Sequence, residues 1–231
     1  MQGKIHKICL ENSGHILGSS QVVVEGEKKV CVTTDFKLQD SILQKGAEII
    51  PCDTLVIEST FGLKQFSFPS RESVYGEMEA WIRSAQKSNH LAILAGYATG
   101  KAQELTKIVN EYSTATPFVH DSIFDKNKIH DSFASSLGDY VKIDHNLHEA
   151  EVLILPPSLC APSVLHALSV SARKPVVSAK ATGWTFKESY ERIFALSDHA
   201  DYAQLMEYVK NAQPKQVFTD HGFASELAHS I

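Results

Sequence analysis

Short apolar segments rich in β-branched residues occupy the first quarter of the chain. Residues 5–10, 21–25 and 30–34 form three such segments, and glycines separate them. A fourth apolar run, residues 55–58, follows Pro51. This pattern predicts a β-rich first part.

From about residue 70 the apolar positions change to helical spacing. Val74, Met78, Ile82 and Ala85 recur at intervals of three and four residues. This spacing predicts an amphipathic helix of about four turns.

Strand-type and helix-type patterns then alternate. The predicted strands are residues 91–95, 117–120, 152–155 and 175–178, and the predicted helices are residues 102–112, 129–137 and 163–170. Such alternation is typical of βαβ units, so we expect a mostly parallel sheet with helices as crossovers.

The last part of the chain repeats one helix–strand unit. Asp201 is a candidate helix N-cap with Gln204 three residues later, and Leu205 and Val209 continue an apolar stripe. Residues 216–219 form the last predicted strand. The pattern thus predicts a β-rich first part, an α/β middle and a short α/β tail.

Composition narrows the class of protein without identifying it. The chain has 231 residues, 43% of them hydrophobic and 21% charged, and a net charge of −5. These values predict one large or two small globular domains, and they argue against disorder and against a uniformly basic nucleic-acid coat. No apolar run approaches the ~18 residues of a membrane span, and the first ten residues lack the apolar core of a signal peptide. Four widely spaced cysteines are typical of a reducing compartment, so we expect a cytoplasmic protein without membrane partners.

Polar side chains that can bind metals follow several of the predicted strands. His15 lies in a glycine-bracketed loop, Asp35 and Glu58 lie at the ends of apolar strands, and His199 and His221 end other apolar elements. Each of these residues alone is more commonly a cap or a turn residue, and that alternative stays open. Together they form the mixture of carboxylates and imidazoles that binds zinc-type metals.

The segment from Gly96 to Ala102 has some features of a phosphate-binding loop. However, three residues separate Gly96 from Gly100 where a P-loop has four, and Ala102 replaces the hydroxyl residue that would hold magnesium. A turn between a strand and a helix is therefore the better interpretation.

Five short motifs resemble, in order, those of metallo-β-lactamase-fold nucleases with a β-CASP insertion. They are Gly-His-Ile-Leu-Gly-Ser-Ser-Gln at 14–21, Thr-Asp-Phe at 34–36, the run 53–62 around Glu58, Leu-Ser-Asp-His-Ala-Asp at 196–201, and His-Gly at 221–222. Residues 52–63 and 100–103 are most similar to exonucleases associated with DNA ligases and helicases. The second motif departs slightly from the family, which usually has glycine where this chain has Thr34.

The resemblance implies a mixed α/β (α+β) fold: a partial metallo-β-lactamase αββα sandwich with an inserted β-CASP parallel α/β domain. The implied domain borders are residues 1–62 and 181–231 for the metallo-β-lactamase-like parts and residues 63–180 for the β-CASP-like domain.

The resemblance also implies roles for the site residues in metal-assisted phosphodiester hydrolysis. His15 and His221 would bind metal, Asp35 would bridge two metal positions, and His199 would donate a hydrogen bond or a proton to the substrate. Glu58 would orient His199 and keep it protonated.

A basic group in the β-CASP-like part and beyond it would follow a nucleic-acid backbone. It consists of Arg173, Lys174, Lys180, Lys187 and Arg192. The alternative is an ordinary solvated face, because Glu188 and Glu191 lie among these cations.

The chain departs from the family in having no His-x-His motif. The resemblance therefore implies that zinc is the metal and that this chain alone binds one zinc ion or none. Two functions stay open: a nuclease, of exonuclease or mRNA 3′-end-processing type, acting on RNA or single-stranded DNA, and a catalytically silent nucleic-acid-binding or scaffold subunit. The nuclease would be completed by a homodimer or by a second chain that brings the missing motif and covers an apolar sheet face.

Overall fold

The computed structural model describes residues 5–144, 147–184 and 189–231. Two compact units are formed, one from residues up to Phe68 together with Asp198–Ile231, the other from Pro69–Ser197. Each unit has its own sheet. The second unit extends past residue 180, where the sequence placed the junction, because a strand near residue 194 joins its sheet.

The described residues form eleven strands and six α-helices. In chain order they are β1 (Ile5–Asn12), β2 (Ser20–Gly26), β3 (Val30–Val32), β4 (Thr54–Glu58), α1 (Arg71–Lys87), β5 (Leu91–Ala95), α2 (Lys101–Tyr112), β6 (Phe118–Val119), α3 (Asp121–Phe133), β7 (Val141–Lys142), β8 (Val152–Leu155), α4 (Pro162–Ala172), β9 (Val176–Thr182), β10 (Arg192–Ala195), α5 (Tyr202–Ala212), β11 (Gln216–Asp220) and α6 (Ala224–Ala228).

The first unit contains a five-stranded sheet in the order β1-β2-β3-β4-β11. β1, β2 and β3 pair antiparallel, whereas β3, β4 and β11 run parallel. One face of the sheet packs against α5 in a core that includes Val23, Cys31, Leu55, Leu205 and Tyr208. Alternation along the strands therefore directs one set of side chains to this core.

The other face of this sheet, called the outer face here, carries a row of apolar side chains across all five strands. The row is set by register and consists of Leu10, Val22, Val32, Val56 and Phe218. Two of these large apolar side chains are exposed, Leu10 to 68% and Phe218 to 50%. The two helices of this unit contribute instead to the core on the opposite face. The expected apolar sheet face is therefore present.

The second unit contains a six-stranded, entirely parallel sheet in the order β10-β9-β5-β8-β6-β7. β5 is central, and every residue from Leu91 to Ala95 is buried. A continuous apolar run such as this one is typical of a strand covered on both faces. The predicted parallel α/β middle is confirmed.

The helix predicted at residues 129–137 is wrong in its bounds, because α3 spans Asp121–Phe133. The His120 imidazole caps its start by accepting a hydrogen bond from the Ser122 amide at 3.2 Å. The buried positions include Asn127 and His130, so the apolar periodicity that predicts a helix is weak here. The sequence does not predict the short strands β7 and β10, because neither contains a long apolar pattern.

A buried charge cluster lies between α1 and α2. Glu104 accepts hydrogen bonds from Arg71, Tyr75 and, at 2.8 Å, the Lys101 ammonium. Burial favours the neutral form of Glu104, but the charges of Arg71 and Lys101 outweigh it and hold the pKa of Glu104 well below its ordinary value. Because Lys101 is buried in this cluster, it is not the exposed lysine of a phosphate loop, and Gly96–Gly100 forms the predicted strand-to-helix turn.

Among the described residues, no helix has both the length and the apolar character needed to cross a membrane.

Candidate metal centre

The first unit brings together His15, Asp35 and His199. Each offers one ligand atom, and these three atoms lie within 4.8 Å of one another. His15 belongs to the loop between β1 and β2, Asp35 follows β3, and His199 precedes α5. Three segments far apart in sequence therefore meet at one edge of the sheet, where α/β folds commonly place their sites.

The tautomer of His15 is determined by its hydrogen bond. Its Nδ1 lies 3.0 Å from the backbone oxygen of Asp198, and because a carbonyl can only accept, Nδ1 carries the proton. Nε2 is then the lone-pair nitrogen, and it lies 3.8 Å from Oδ2 of Asp35. An imidazole fixed through one nitrogen by a carbonyl is the usual arrangement of a histidine metal ligand.

The loop that carries His15 needs glycine at position 14. Gly14 has φ +70°, and a Cβ there would lie 2.7 Å from the Ala47 nitrogen and 2.8 Å from the Lys37 oxygen. Both neighbours are backbone atoms that cannot rotate away, so the loop packs as closely as it does only with glycine.

Asp35 follows a strained residue. Thr34 has φ +53°, a left-handed conformation that β-branched residues rarely adopt. Its hydroxyl donates a hydrogen bond to the Ser20 carbonyl at 2.9 Å, which helps to hold this conformation. The glycine that the family usually has at this position would adopt it without strain. The carboxylate of Asp35 is half exposed and open to a ligand.

Glu58 is buried beside the cluster and accepts three hydrogen bonds. They come from the Phe36 amide at 3.0 Å, the Thr60 amide at 3.2 Å and, at 3.0 Å, the Nδ1 of His199. Burial favours the neutral form of Glu58, but the hydrogen bond and charge of His199 help to outweigh it, and the pKa of Glu58 is lowered.

His199 experiences the reciprocal effect. Burial favours its neutral form, but the Glu58 carboxylate and, to a lesser degree, Asp35 outweigh burial and raise the pKa of His199. Its ring lies 4.7 Å from that of His15. Because Nδ1 faces Glu58, a metal or a substrate oxygen would be contacted through Nε2.

The donor set fits zinc, because an imidazole and a carboxylate, from His15 and Asp35, are groups that commonly hold zinc at catalytic sites. The paired His199 lies beside these two groups. The fixed tautomer of His15 presents the lone pair that such a bond needs.

His221, the other predicted metal ligand, is not part of this cluster. It is exposed, directly follows β11, and has φ +63°. The next residue, Gly222, packs against backbone, since a Cβ there would lie 2.5 Å from the Ser59 oxygen. The loop that carries His221 therefore packs against Ser59, the residue that follows Glu58 in the chain. A ligand role for His221 stays a prediction.

The predicted nucleic-acid-binding residues belong mainly to the region around β9. Arg173 and Lys174 precede β9, whereas Lys180 lies near its other end, and Lys187 lies outside the described residues. Arg192, on β10, forms an ion pair with Glu77 at 2.6 Å.

Two further cations are also engaged within the protein. The Lys174 ammonium donates to the Ala150 carbonyl at 2.9 Å, and the Lys180 ammonium lies 5.9 Å from the centre of the Tyr190 ring. The role of these residues in nucleic-acid binding stays a prediction.

Some residues that support the site gave no recognisable signal in the sequence. The side chains of Lys37 and Gln44 both donate hydrogen bonds to the Gly14 carbonyl. The Thr60 hydroxyl lies 3.3 Å from Nδ1 of His199. Thr60 belongs to a motif of the resemblance and could have been singled out. The burial of a lysine cannot be inferred from its residue type.

The site has the features of the metal-dependent hydrolase class: clustered imidazoles and a carboxylate at a sheet edge, beside a buried glutamate–histidine pair. Comparison with known proteins specifies the class further. A family model described as "Zn-dependent metallo-hydrolase RNA specificity domain" matches residues 189–229. The family model and the relatives below support the resemblance of the chain to metallo-β-lactamase-fold nucleases of the β-CASP family.

Three relatives illustrate the similarity. The chain is 28% identical to a protein named "Probable DNA ligase" from Opitutus terrae, over 97% of this chain and 22% of that protein. It is 23% identical to "Probable RNase MJ4" from Methanocaldococcus jannaschii, over 92% of this chain and 61% of that protein. It is 36% identical to "Transcription termination factor FttA" from Lokiarchaeum sp., over 46% of this chain and 18% of that protein. The chain thus spans less than two thirds of each relative.

Proposed function

We propose that this chain supplies the metal centre and substrate contacts of a zinc-dependent nuclease that hydrolyses phosphodiester bonds. The observation that carries the proposal is the meeting of His15, Asp35 and His199 beside buried Glu58. The zinc-hydrolase description of the matching family model supports the same chemistry.

The side chains have separate roles in this proposal. His15, through Nε2, and Asp35, through its carboxylate, would hold the zinc ion. Zinc at such a site supplies Lewis-acid stabilisation of charge on a phosphoryl oxygen and lowers the pKa of a bound water. Glu58 holds His199 through Nδ1 and favours its protonated form, so that Nε2–H can donate a proton to the leaving oxygen.

The proposed substrate is RNA, with single-stranded DNA as the alternative. The RNA specificity description of the family model and the ribonuclease name of one relative support RNA. The relative named as a DNA ligase, which matches 97% of the chain, supports DNA. Cleavage of an RNA and a DNA oligonucleotide of the same sequence would separate them.

A partner is expected to complete the centre. The metal-type cluster of the described residues contains three groups, and the outer face leaves Leu10 and Phe218 exposed at the same sheet. An apolar sheet face rimmed by polar residues is typical of an interaction surface. We infer that a second chain, or a second copy, covers it and adds metal ligands.

Light scattering tests the proposed association. The wild type is expected as a dimer or in complex with another chain, and Phe218→Lys, which places a charge on the outer face, is expected to be monomeric. Glu25→Lys, on the same sheet but at a polar position, serves as the control. A monomeric wild type in isolation would contradict homodimer formation and leave a different chain as the completing partner.

Cleavage of end-labelled single strands with added zinc tests the proposed activity. The isolated chain is expected to cleave weakly, because its centre is incomplete, and Asp35→Ala and His199→Ala are expected to abolish that cleavage. Strong cleavage that survives Asp35→Ala would contradict the proposed site.

A catalytically silent scaffold subunit is the second candidate, and the small ligand set together with the exposed outer face favours it. A scaffold would bind the same oligonucleotides without zinc and without cleaving them. His199→Ala would then leave oligonucleotide binding unchanged, whereas cleavage by the nuclease requires this residue.

A further inference from the structure

Lys37 is a buried lysine that lies against the loop of His15. Only 2% of its surface is exposed, although lysine is among the residues least often buried. Its ammonium donates a hydrogen bond to the Gly14 carbonyl and another to the His15 carbonyl, the latter at 3.2 Å. The end of this side chain therefore binds the carbonyls of the two peptide groups that flank His15.

Further hydrogen bonds join the same two segments. The Lys37 amide donates to the Ser13 carbonyl at 3.2 Å, and its carbonyl accepts from the Ala47 amide at 2.8 Å. The Gln44 side chain adds a second donor to the Gly14 carbonyl at 2.8 Å. Lys37 also follows Asp35 by two residues, so one short segment carries a metal ligand and the group that holds the other ligand's loop.

An ammonium at this position has a cost that packing alone does not explain. Burying a charged group is unfavourable unless it is hydrogen-bonded, and methionine would fill a similar volume without that cost. The two accepting carbonyls compensate the ammonium and at the same time fix the loop. The charge is therefore best explained by what it does to the backbone at His15.

We propose that Lys37 is a positioning residue of the metal centre: by binding the carbonyls of Gly14 and His15 it fixes the His15 imidazole relative to Asp35. This inference rests on the proposed function of the cluster. Groups that orient a metal ligand without touching the metal typically change metal affinity by about 10- to 100-fold when they are removed.

The sign of the effect distinguishes positioning from simple electrostatics. A lysine close to a cation site repels the metal, so its removal would tighten zinc binding if charge were its only influence. If Lys37 positions His15, its removal weakens zinc binding instead.

Zinc titration against a competing chromophoric chelator measures this sign. Lys37→Met is expected to raise the dissociation constant for zinc about 10- to 100-fold, and Lys37→Arg, which retains donors, is expected to restore part of the affinity. Val23→Ala, a cavity in the core of the same unit, is the control for lost stability. It is expected to lower the melting temperature and leave zinc affinity unchanged.

Histidine ¹⁵N NMR of the zinc-free protein provides a readout that needs neither activity nor metal. Wild-type His15 is expected as a single tautomer protonated at Nδ1, and Lys37→Met is expected to show an averaged signal. Should Lys37→Met not fold, Gln44→Ala removes the other donor to Gly14 and is expected to change both readouts in the same direction, but less.

An unchanged or tightened zinc affinity together with an unchanged His15 tautomer in Lys37→Met, or in Gln44→Ala if only that variant folds, would overturn the proposal. If the wild type binds no zinc, the proposed function fails, while the His15 signal still decides the role of Lys37.

Discussion

Replacing Glu58 by glutamine would test how the site controls the protonation of His199. The amide has nearly the shape of the carboxylate but no charge, and its NH₂ group cannot accept the hydrogen bonds that one oxygen of Glu58 now receives. In the wild type, the two oxygens of Glu58 accept hydrogen bonds from Phe36, Thr60 and His199. At least one of these donors therefore loses its partner in the variant.

The size of the effect follows from these contacts. A hydrogen bond to a charged group contributes about 1.5–3 kcal/mol, so Glu58→Gln is expected to lower the free energy of unfolding by about that amount at pH 6. The pKa of His199 is expected to fall, since the carboxylate that raises it is gone. Urea denaturation and a pH titration of the His199 NMR signal in the zinc-free protein measure the two quantities.

The pH dependence of stability has a defined sign. Glu58 has a lowered pKa and stabilises the fold above its unfolded value of 4.5, and this stabilisation is lost as the pH falls through its folded pKa. His199 has a raised pKa and stabilises fully below its unfolded value of 6.5, and this is lost as the pH rises through its folded pKa. The advantage of wild type over Glu58→Gln should thus be greatest between pH 4.5 and 6.5. An unchanged His199 pKa in the variant would refute the reasoning.

Three further predictions concern backbone strain and buried charge. In urea denaturation, Thr34→Gly is expected to be about 1–2 kcal/mol more stable than Thr34→Val. Both variants lose the hydrogen bond to the Ser20 carbonyl, but only valine keeps the strain of the left-handed backbone conformation, so equal stabilities would contradict the prediction. Glu104→Gln is expected to lower the free energy of unfolding by about 3–5 kcal/mol at pH 7, since two buried cations lose their anion. The difference in melting temperature between wild type and this variant should shrink below pH 4.5, and a variant that melts like wild type at pH 7 would contradict the prediction. Gly222→Ala is expected to lower the melting temperature more than Gly18→Ala, because both have positive φ but only the former meets backbone atoms; the opposite order would show that the close approach is absent.

The parts of the fold with strong periodicity could be predicted from the sequence. The uninterrupted apolar run of β5 predicts a strand buried on both faces, and the alternation around it predicts a parallel sheet. α3 was misplaced because buried Asn127 and His130 break the apolar pattern that marks a helix. β10 has four residues, which is too short for a distinctive period.

Strand ends in the sequence predicted the residue types of the site, whereas the grouping of these residues was implied by the resemblance alone. His15 and Asp35 belong to motifs at strand ends, and the structure does bring them together. Which histidine joins them depends on how distant loops meet: His199 does, and His221 lies outside the cluster. The hydrogen bond from His15 to the Asp198 carbonyl and the burial of Lys37 arise from tertiary packing, which local sequence does not encode.

Zinc stoichiometry of the purified chain tests the central claim most directly. Equilibrium dialysis followed by elemental analysis is expected to show one zinc ion per chain, lost in His15→Ala and in Asp35→Ala. Glu149→Ala, an exposed carboxylate of the second unit, is the control and should retain the ion. Wild-type protein that binds no zinc, or Asp35→Ala protein that binds it as well as wild type, would contradict the account.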